Sequence, residues 1–348
     1  MAKFYYGGQA VVEGVMMRGQ KHMAVAVRAP DGSIALHQET LRGVLVHPVM
    51  KLPLLRGLVG LWDALGLGMK ALLFSASVAS QDEEENSSLP HNVEAEAQGA
   101  AATMPVGIAP AVQQKSGQFG GAAAWGSIAV ALAMMVGIFF VLPVLAASFF
   151  TDLAGARSSL AHNLTEGAIR LGLFLGYLAL IGRMKDVQRV FGYHGAEHKT
   201  INAYEAGVPL TPEQVQKFTL LNPRCGTTFL LIVMLMATAV FVVVGKLPFI
   251  VMVLSRIVLV PLIAAVAYEF IRLMANLYDH ALVRALLAPG IALQKMTTRP
   301  PDHQMLEVAI VALNAVLVAD GVVSGAPAHV GGLQTAEDTL AEPAATLA

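Results

Sequence analysis

Long apolar runs with few charges constrain this chain more than any other feature, because each one approaches the length of a bilayer crossing. A membrane-spanning helix needs about 20 predominantly apolar residues. Hydrophobic residues make up 55% of the chain and charged residues only 14%. We therefore predict a mainly α polytopic membrane protein with about four transmembrane helices, the last two forming a hairpin. The four segments are residues 123–150, 164–182, 227–244 and 251–275.

The distribution of basic residues predicts the orientation of these segments. Six arginines and lysines lie between the second and third spans, whereas the opposite side offers only Arg157 and Lys246. Because cytosolic loops carry the excess of positive charge, we expect residues 183–226 and both termini to be cytosolic. The N-terminus lacks the features of a signal peptide, so we expect membrane insertion to depend on internal segments.

The first 45 residues have the pattern of β-structure. Two apolar, β-branched runs flank Pro30, Asp31 and Gly32, which is a strong hairpin signal. The glycine-rich stretch before them is suited to one further strand, since strand glycines mark bulges or close backbone approach. Residues 1–45 are therefore predicted to form a small cytosolic β unit.

An apolar helix is predicted to follow this unit, within residues 46–80. From Leu52 onwards its only charges, Arg56, Asp63 and Lys70, are seven residues apart and therefore lie in one stripe. An amphipathic helix lying on the membrane surface or packed against the helical bundle fits this pattern. A fifth span or a re-entrant segment is the alternative.

The remaining segments connect or flank the spans. Residues 81–122 are acidic and then rich in alanine, glycine and glutamine, which predicts a disordered linker, and the tail is similar. Two cytosolic interfacial helices are expected after the last span, the first broken at Pro289 and Gly290. The predicted order begins with a β unit (1–45), an interfacial helix (46–80), a linker (81–122) and two spans (123–182). It continues with a cytosolic loop (183–226), a helical hairpin (227–275), two interfacial helices (276–322) and a tail (323–348).

The cytosolic loop contains a candidate metal site in the stretch YHGAEHKTINAYE. On a helix, His194 and His198 share one face and can present two ring nitrogens to one Zn²⁺ ion. Glu197 can act as a general base beside the metal, which is the reversed form of the common zinc-protease pattern. The alternative is a pair of surface histidines, with Glu197 paired to a lysine. Gly195 inside the motif weakens the helix, which favours that alternative.

A catalytic zinc site needs a third protein ligand, and the sequence offers two main candidates. Glu269 is expected near the cytosolic end of the fourth span, and Cys225 where the third span begins. Each also has an ordinary explanation. Glu269 can pair with Arg272 on the same helix, and Cys225 can be a small buried residue in a turn. Other polar side chains predicted on the same side are Arg224, Arg272, Asn276 and His280.

Two arginines are predicted inside the spans. Arg170 and Arg256 lie in the outer halves of the second and fourth segments. We expect their side chains to extend towards the headgroups or to pair with Asp152.

In four sequence motifs the chain resembles the YqhQ-like family of bacterial membrane proteins, which are described as predicted metal-dependent enzymes. The resemblance covers most of the chain outside the linker and the tail. It implies a bacterial inner (cytoplasmic) membrane location and a divalent metal cofactor. The matching motifs are GGQAVVEGVMMRG, YHGAEHKTINAYE, PRCGT and TTRPPDHQMLEVAI.

The working hypothesis is a metal-dependent hydrolase that acts on a membrane-associated peptide or lipid. Arg224 or Arg272 would stabilise an anionic intermediate. A non-catalytic scaffold or assembly factor with a protein partner is the alternative, and convergence of His194 and His198 with a third ligand would favour the enzyme. Diverging rings, or rings held by backbone carbonyls, would favour the scaffold. A transporter ranks third because no internal repeat is visible, and nucleic acid is excluded because basic and aromatic residues form no shared pattern.

Overall fold

The computed structural model describes residues 6–41, 52–79, 126, 130–131, 133–155, 158–245 and 247–323. The predicted linker and all but the first residue of the predicted tail lie outside these ranges. Within them the chain forms four strands followed by nine helices. These are β1 (Gly7–Val11), β2 (Gly14–Arg18), β3 (His22–Arg28), β4 (Ile34–Thr40), α1 (Leu55–Ala79), α2 (Ala133–Leu153), α3 (Ser159–Ile181), α4 (Lys185–Glu205), α5 (Pro212–Val215), α6 (Gly226–Val244), α7 (Phe249–Asn276), α8 (Ala281–Thr297) and α9 (His303–Ala319).

The N-terminal strands form one antiparallel sheet in the order β1-β2-β3-β4. The predicted hairpin is present, with Gly32 at a φ of 86° in the turn between β3 and β4. The preceding glycine-rich stretch forms two strands instead of the single one expected, because the chain reverses at Glu13, which has a φ of 52°. The predicted small β unit is therefore a four-stranded meander.

Helices cover both faces of the sheet. On one face, α4 and α9 form a core with the strands in which Tyr193 and Leu306 pack near Val15. On the other face, Leu67 and Ala71 of α1 pack in a second core with the strands. The sheet is thus the middle layer of a helix–sheet–helix unit.

Helix α9 was predicted to lie at the membrane interface, and in the structure its apolar face packs against protein. Leu306, Ala309, Leu313 and Val316 are fully buried in the core that α9 shares with the sheet and α4. Its apolar face is matched by the apolar face of the sheet, so burial against protein replaces burial against lipid.

The charge stripe of α1 faces protein rather than headgroups. Asp63 pairs with Arg18 of β2 at 2.9 Å, and Lys70 pairs with Glu39 of β4 at 2.7 Å. Arg56 pairs with Glu269 of α7. The opposite side of the helix exposes large apolar side chains, among them Trp62, Leu65 and Met69.

Five helices of the described residues are long and apolar enough to cross a membrane, judged by length and composition. They include the four predicted segments, as α2, α3, α6 and α7, together with α1. Helix α2 contains a π-helical turn at Gly137–Val141. The predicted membrane-compatible helical core is therefore present, with α1 as a fifth candidate.

Helix α8 runs unbroken through Pro289 and Gly290, contrary to the predicted break. Gly290 lies directly against α6, since a Cβ built there would be 2.5 Å from the Cγ2 atom of Thr228. Leu293 of α8 packs with Leu178 of α3 and Leu231 of α6. These contacts with the bundle hold the helix together across its proline.

The two arginines inside the bundle are paired differently from the prediction. Both contact Glu166, which lies one turn before Arg170 on α3, and neither contact involves Asp152. Because all three side chains are buried, they form an ion cluster between α3 and α7.

Candidate metal centre

Helix α4 carries both histidines of the motif on one face. It ends at Glu205, and Gly207 follows with a φ of 71°, a conformation that favours glycine at a helix end. The ring centroids of His194 and His198 are 4.5 Å apart. His198 is buried and His194 is half-buried.

Cys225 completes a group of three candidate metal ligands. It is the N-cap residue of α6, and its Sγ atom lies 3.2 Å from Nε2 of His194. The three ligand atoms of His194, His198 and Cys225 all lie within 4.8 Å of one another. In a tetrahedral zinc site with ordinary bond lengths, ligand atoms are roughly 3.3–3.6 Å apart. The distance from Nε2 of His194 to Sγ of Cys225 is already close to this range, and a shift of about 1 Å in the side chains would bring all three ligand atoms to a single metal ion.

Backbone carbonyls hold the two imidazoles in position. Nδ1 of His194 lies 2.8 Å from the carbonyl oxygen of Thr297, and Nδ1 of His198 lies 2.5 Å from that of Leu220. Each Nδ1–H donates to its carbonyl, which leaves Nε2 as the nitrogen with the available lone pair. Metal-binding histidines are usually supported in this way. Histidine rings held by backbone carbonyls were predicted to favour a scaffold. In this structure the carbonyls bind Nδ1 of each ring, so these contacts are also compatible with a metal site.

The loop that presents Cys225 is clamped by Gln294 of α8. The fully buried Gln294 amide accepts a hydrogen bond from the backbone N–H of Asn222 and donates one to the carbonyl of the same residue, at 3.0 and 2.6 Å. The Asn222 side chain in turn accepts from the backbone N–H of Arg224 at 3.0 Å. Arg224 pairs with Glu205 at the end of α4. These contacts fix the position of Cys225 relative to α4.

Gly195 allows the segment after α8 to approach α4. A Cβ atom built on Gly195 would lie 2.1 Å from the carbonyl oxygen of Arg299. The backbone N–H of Arg299 donates to the carbonyl of Phe191 at 2.9 Å. This close approach brings the Thr297 carbonyl to His194. Gly195 therefore permits the contact that positions His194, whereas its low helix propensity had favoured a pair of surface histidines in the sequence analysis.

Glu197 lies beside the three ligand atoms. Its Oε2 atom is 3.5 Å from Nε2 of His198, and the side chain is only 5% exposed. Strand β1 covers it, since a Cβ built on Gly8 would lie 2.7 Å from Cγ of Glu197. The carboxylate is thus held next to the candidate metal position, as the motif predicts for a base.

The site favours a cation electrostatically. Burial lowers the pKa of His198, but the contact with Cys225 and the charge of Glu197 outweigh burial, so this pKa lies above its ordinary value. The groups that stabilise a proton on His198 would also stabilise a metal cation beside it.

Comparison with known proteins places the chain among relatives without an assigned reaction. The family model described as "Protein of unknown function (DUF1385)" matches residues 52–319. "Uncharacterized protein YqhQ" of Bacillus subtilis (strain 168) is 31% identical over 313 residues, which cover 90% of this chain and 92% of that protein. The chain belongs to the DUF1385 family. No solved structure matches it. The predicted resemblance to YqhQ-like proteins is therefore confirmed.

Several polar residues predicted for the site lie outside the three-ligand group of this DUF1385 chain. Glu269 is not a member, because Arg56 of α1 engages its carboxylate, with Nε of Arg56 2.6 Å from Oε1. Arg272, Asn276 and His280 are exposed. Of the two candidate third ligands, the structure brings only Cys225 to the histidines.

The supporting residues escaped the sequence analysis. Thr297 and Leu220 contribute backbone carbonyls, which no side-chain pattern reveals. Gln294 lies in an apolar helix, where a buried amide is a recognisable signal for a hydrogen-bonding role.

Proposed function

We propose that the chain is an integral membrane metal-dependent hydrolase with its active site facing the cytosol. The convergence of Nε2 of His194, a ring nitrogen of His198 and Sγ of Cys225 supports this proposal most strongly. Two imidazoles and a thiolate suit Zn²⁺, and three protein ligands leave one tetrahedral position for water or substrate. A divalent metal bound here would supply Lewis acidity that activates water near neutral pH.

Glu197 is the proposed general base. A carboxylate next to the metal position can accept the proton of an attacking water without being a ligand itself. Its burial against Gly8 and its position one residue before His198 fix its direction. Arg224, which adjoins Cys225, is the proposed stabiliser of an anionic intermediate, because a guanidinium provides several hydrogen-bond donors.

We propose that α2, α3, α6 and α7 cross the bacterial inner membrane and that α1 lies at its cytosolic surface. The basic residues around α4 support this orientation, with both termini cytosolic. The apolar outer side of α1 suits a lipid surface, because its other side is covered by the sheet. Cys225 caps α6, a proposed span, so the site would lie where the bundle meets the cytosol. This location favours a membrane-associated peptide or lipid as substrate.

The experiment compares wild-type protein with Glu197→Gln, which removes the base and keeps the three ligands. Membranes from cells lacking the protein are incubated with each, in water enriched in heavy oxygen, and their peptides and lipids are analysed by mass spectrometry. We expect heavy oxygen in cleavage products only with the wild type, and equal metal content in both proteins. The exposed Glu213→Gln is the matched control and should retain activity. Equal product formation by Glu197→Gln would refute the role of this carboxylate.

A non-catalytic scaffold is the second candidate. The same three side chains connect α4 to α6 and, through the Thr297 carbonyl, to the end of α8. On this account the metal would stabilise the assembly without turnover. The scaffold would be favoured if the wild-type protein retains its metal but yields no labelled product with any membrane composition.

A further inference from the structure

The ion cluster inside the bundle carries an excess of positive charge. Glu166 of α3 places Oε1 2.5 Å from Nη2 of Arg170 and Oε2 2.8 Å from Nη2 of Arg256. The three residues are between 1% and 5% exposed. Arginine does not lose its proton in proteins, so two guanidinium groups face one carboxylate. Within the part of the chain that the structure describes, one positive charge of this cluster is therefore uncompensated.

Arg256 is the less satisfied of the two arginines. Nε of Arg170 donates to the carbonyl of Phe139, in the π-helical turn of α2, at 3.1 Å. The guanidinium of Arg256 instead lies 3.5 Å from the ring centroid of Phe241, and its Nη1 donates a long hydrogen bond of 3.5 Å to Oγ of Ser255. Its buried Nε has no hydrogen-bond partner among the described residues. A buried charged donor without a partner is costly. An additional anion would gain most at Arg256.

A cleft of about 260 Å³ between α2 and α7 borders this arginine. Among the described residues that line it, Arg256 is the only polar one, and the walls include Phe140 and Val144 of α2 with Met252 and Val260 of α7. The volume suits part of one hydrocarbon chain. The surface of the cleft is almost entirely apolar, and the positive charge of Arg256 lies buried directly behind it. A molecule with an apolar chain and an acidic group matches this arrangement.

The bilayer itself supplies such a molecule. Arg256 lies seven residues after the start of α7 at Phe249, which is about 10 Å along the helix axis. Lipid headgroups reach charged side chains at such depths by local thinning of the bilayer. We propose that this cleft binds one acidic phospholipid, with its phosphate at Arg256 and an acyl chain along the apolar wall. A zwitterionic lipid would bring its own positive charge and would leave the excess charge of the cluster in place.

The test is native mass spectrometry of the purified full chain, delipidated and then incubated with equal amounts of phosphatidylglycerol and phosphatidylcholine. Wild type should retain phosphatidylglycerol over phosphatidylcholine by about tenfold or more, the ratio expected for one charge-assisted hydrogen bond. Arg256→Gln leaves Glu166 paired with Arg170 alone and should abolish the preference. The control is Arg272→Gln, an exposed arginine on the same helix, which should leave the preference unchanged.

A second variant keeps the test decisive if Arg256→Gln does not fold. Val260→Trp fills the cleft without changing any charge, and it should reduce phosphatidylglycerol retention to the level of phosphatidylcholine. Equal retention of both lipids by the wild type would overturn the proposal. So would a preference that persists in Arg256→Gln or in Val260→Trp. The result does not depend on the cytosolic metal site.

Discussion

At the scale of single residues, glycines determine how closely the elements around the site approach one another. Gly195 admits the Arg299 carbonyl, and Gly8 admits the side chain of Glu197. In both places another backbone or side chain occupies the volume that a methyl group would need. Each glycine can therefore be tested against a glycine in open space.

Gly195→Ala should disrupt the site. The new methyl group would meet the Arg299 carbonyl at 2.1 Å, which forces the segment after α8 away from α4 and moves the Thr297 carbonyl from His194. We expect a loss of about 3 kcal/mol in the free energy of unfolding, at the upper end for overpacking. Thermal unfolding and metal content measure the effect. Gly66→Ala on α1, with nothing within 4 Å, should stabilise by up to about 1 kcal/mol. A Gly195→Ala protein as stable as the wild type would contradict the packing described.

Gly8→Ala should impair the proposed base while sparing the three ligands. Its methyl group would meet Cγ of Glu197 and the carbonyl oxygen of Met16, both at 2.7 Å. The neighbouring Gly7→Ala is the control, because nothing lies within 4 Å of a Cβ there. We expect unchanged metal content in both and reduced hydrolysis only in Gly8→Ala. Equal activities would show that β1 does not position Glu197.

The sequence predicted the histidine pair because helical spacing alone puts His194 and His198 on one face. It left the third ligand open between Cys225 and Glu269. Glu269 is not part of the ligand group because its carboxylate pairs with Arg56, which lies 213 positions earlier in the chain. Such a long-range partner has no local signature. The carbonyls of Thr297 and Leu220 are equally invisible, because a backbone group carries no residue-specific pattern.

At the scale of elements, α1 shows what an amphipathic pattern can and cannot specify. The spacing of Arg56, Asp63 and Lys70 correctly predicted one polar stripe, but the partners of that stripe are Glu269 and the sheet. A pattern gives the direction of a face and not what covers it. The same reasoning applies to α9, whose apolar face packs on the sheet.

Leu67→Ala should destabilise the layered unit by about 2–4 kcal/mol, because Leu67 is buried between α1 and the sheet. Leu65→Ala is the matched control on the same helix, since Leu65 is 62% exposed. It should change the free energy of unfolding by less than about 0.5 kcal/mol in detergent. Denaturant titration measures both variants. Equal losses would mean that α1 does not pack on the sheet through the Leu67 side.

At the scale of the whole molecule, an apolar helical bundle is joined to a helix–sheet–helix unit. The candidate site lies where the two parts meet, with His194 and His198 from the unit and Cys225 at the start of a bundle helix. Length and composition sufficed to predict the apolar helices, because hydropathy is a local property. The interface between bundle and unit depends on contacts between distant segments, which the sequence does not display.

The proposed orientation can be tested by thiol labelling of intact cells. Cys225, the single cysteine of the chain, is buried and should react little with a membrane-impermeant maleimide. Asp152→Cys, exposed at the end of α2, should react without permeabilisation. Gln38→Cys, exposed on β4, should react only after permeabilisation. The reverse pattern would place the site outside the cytosol.

The most direct test of the central claim is the metal content of the purified chain after exposure to Zn²⁺ and removal of excess ions. We predict about one Zn²⁺ per chain in the wild type and in Glu269→Gln. Cys225→Ser and the His194→Ala, His198→Ala double variant should hold almost none. A metal-free wild type, or equal metal in all four proteins, would contradict a site built from His194, His198 and Cys225.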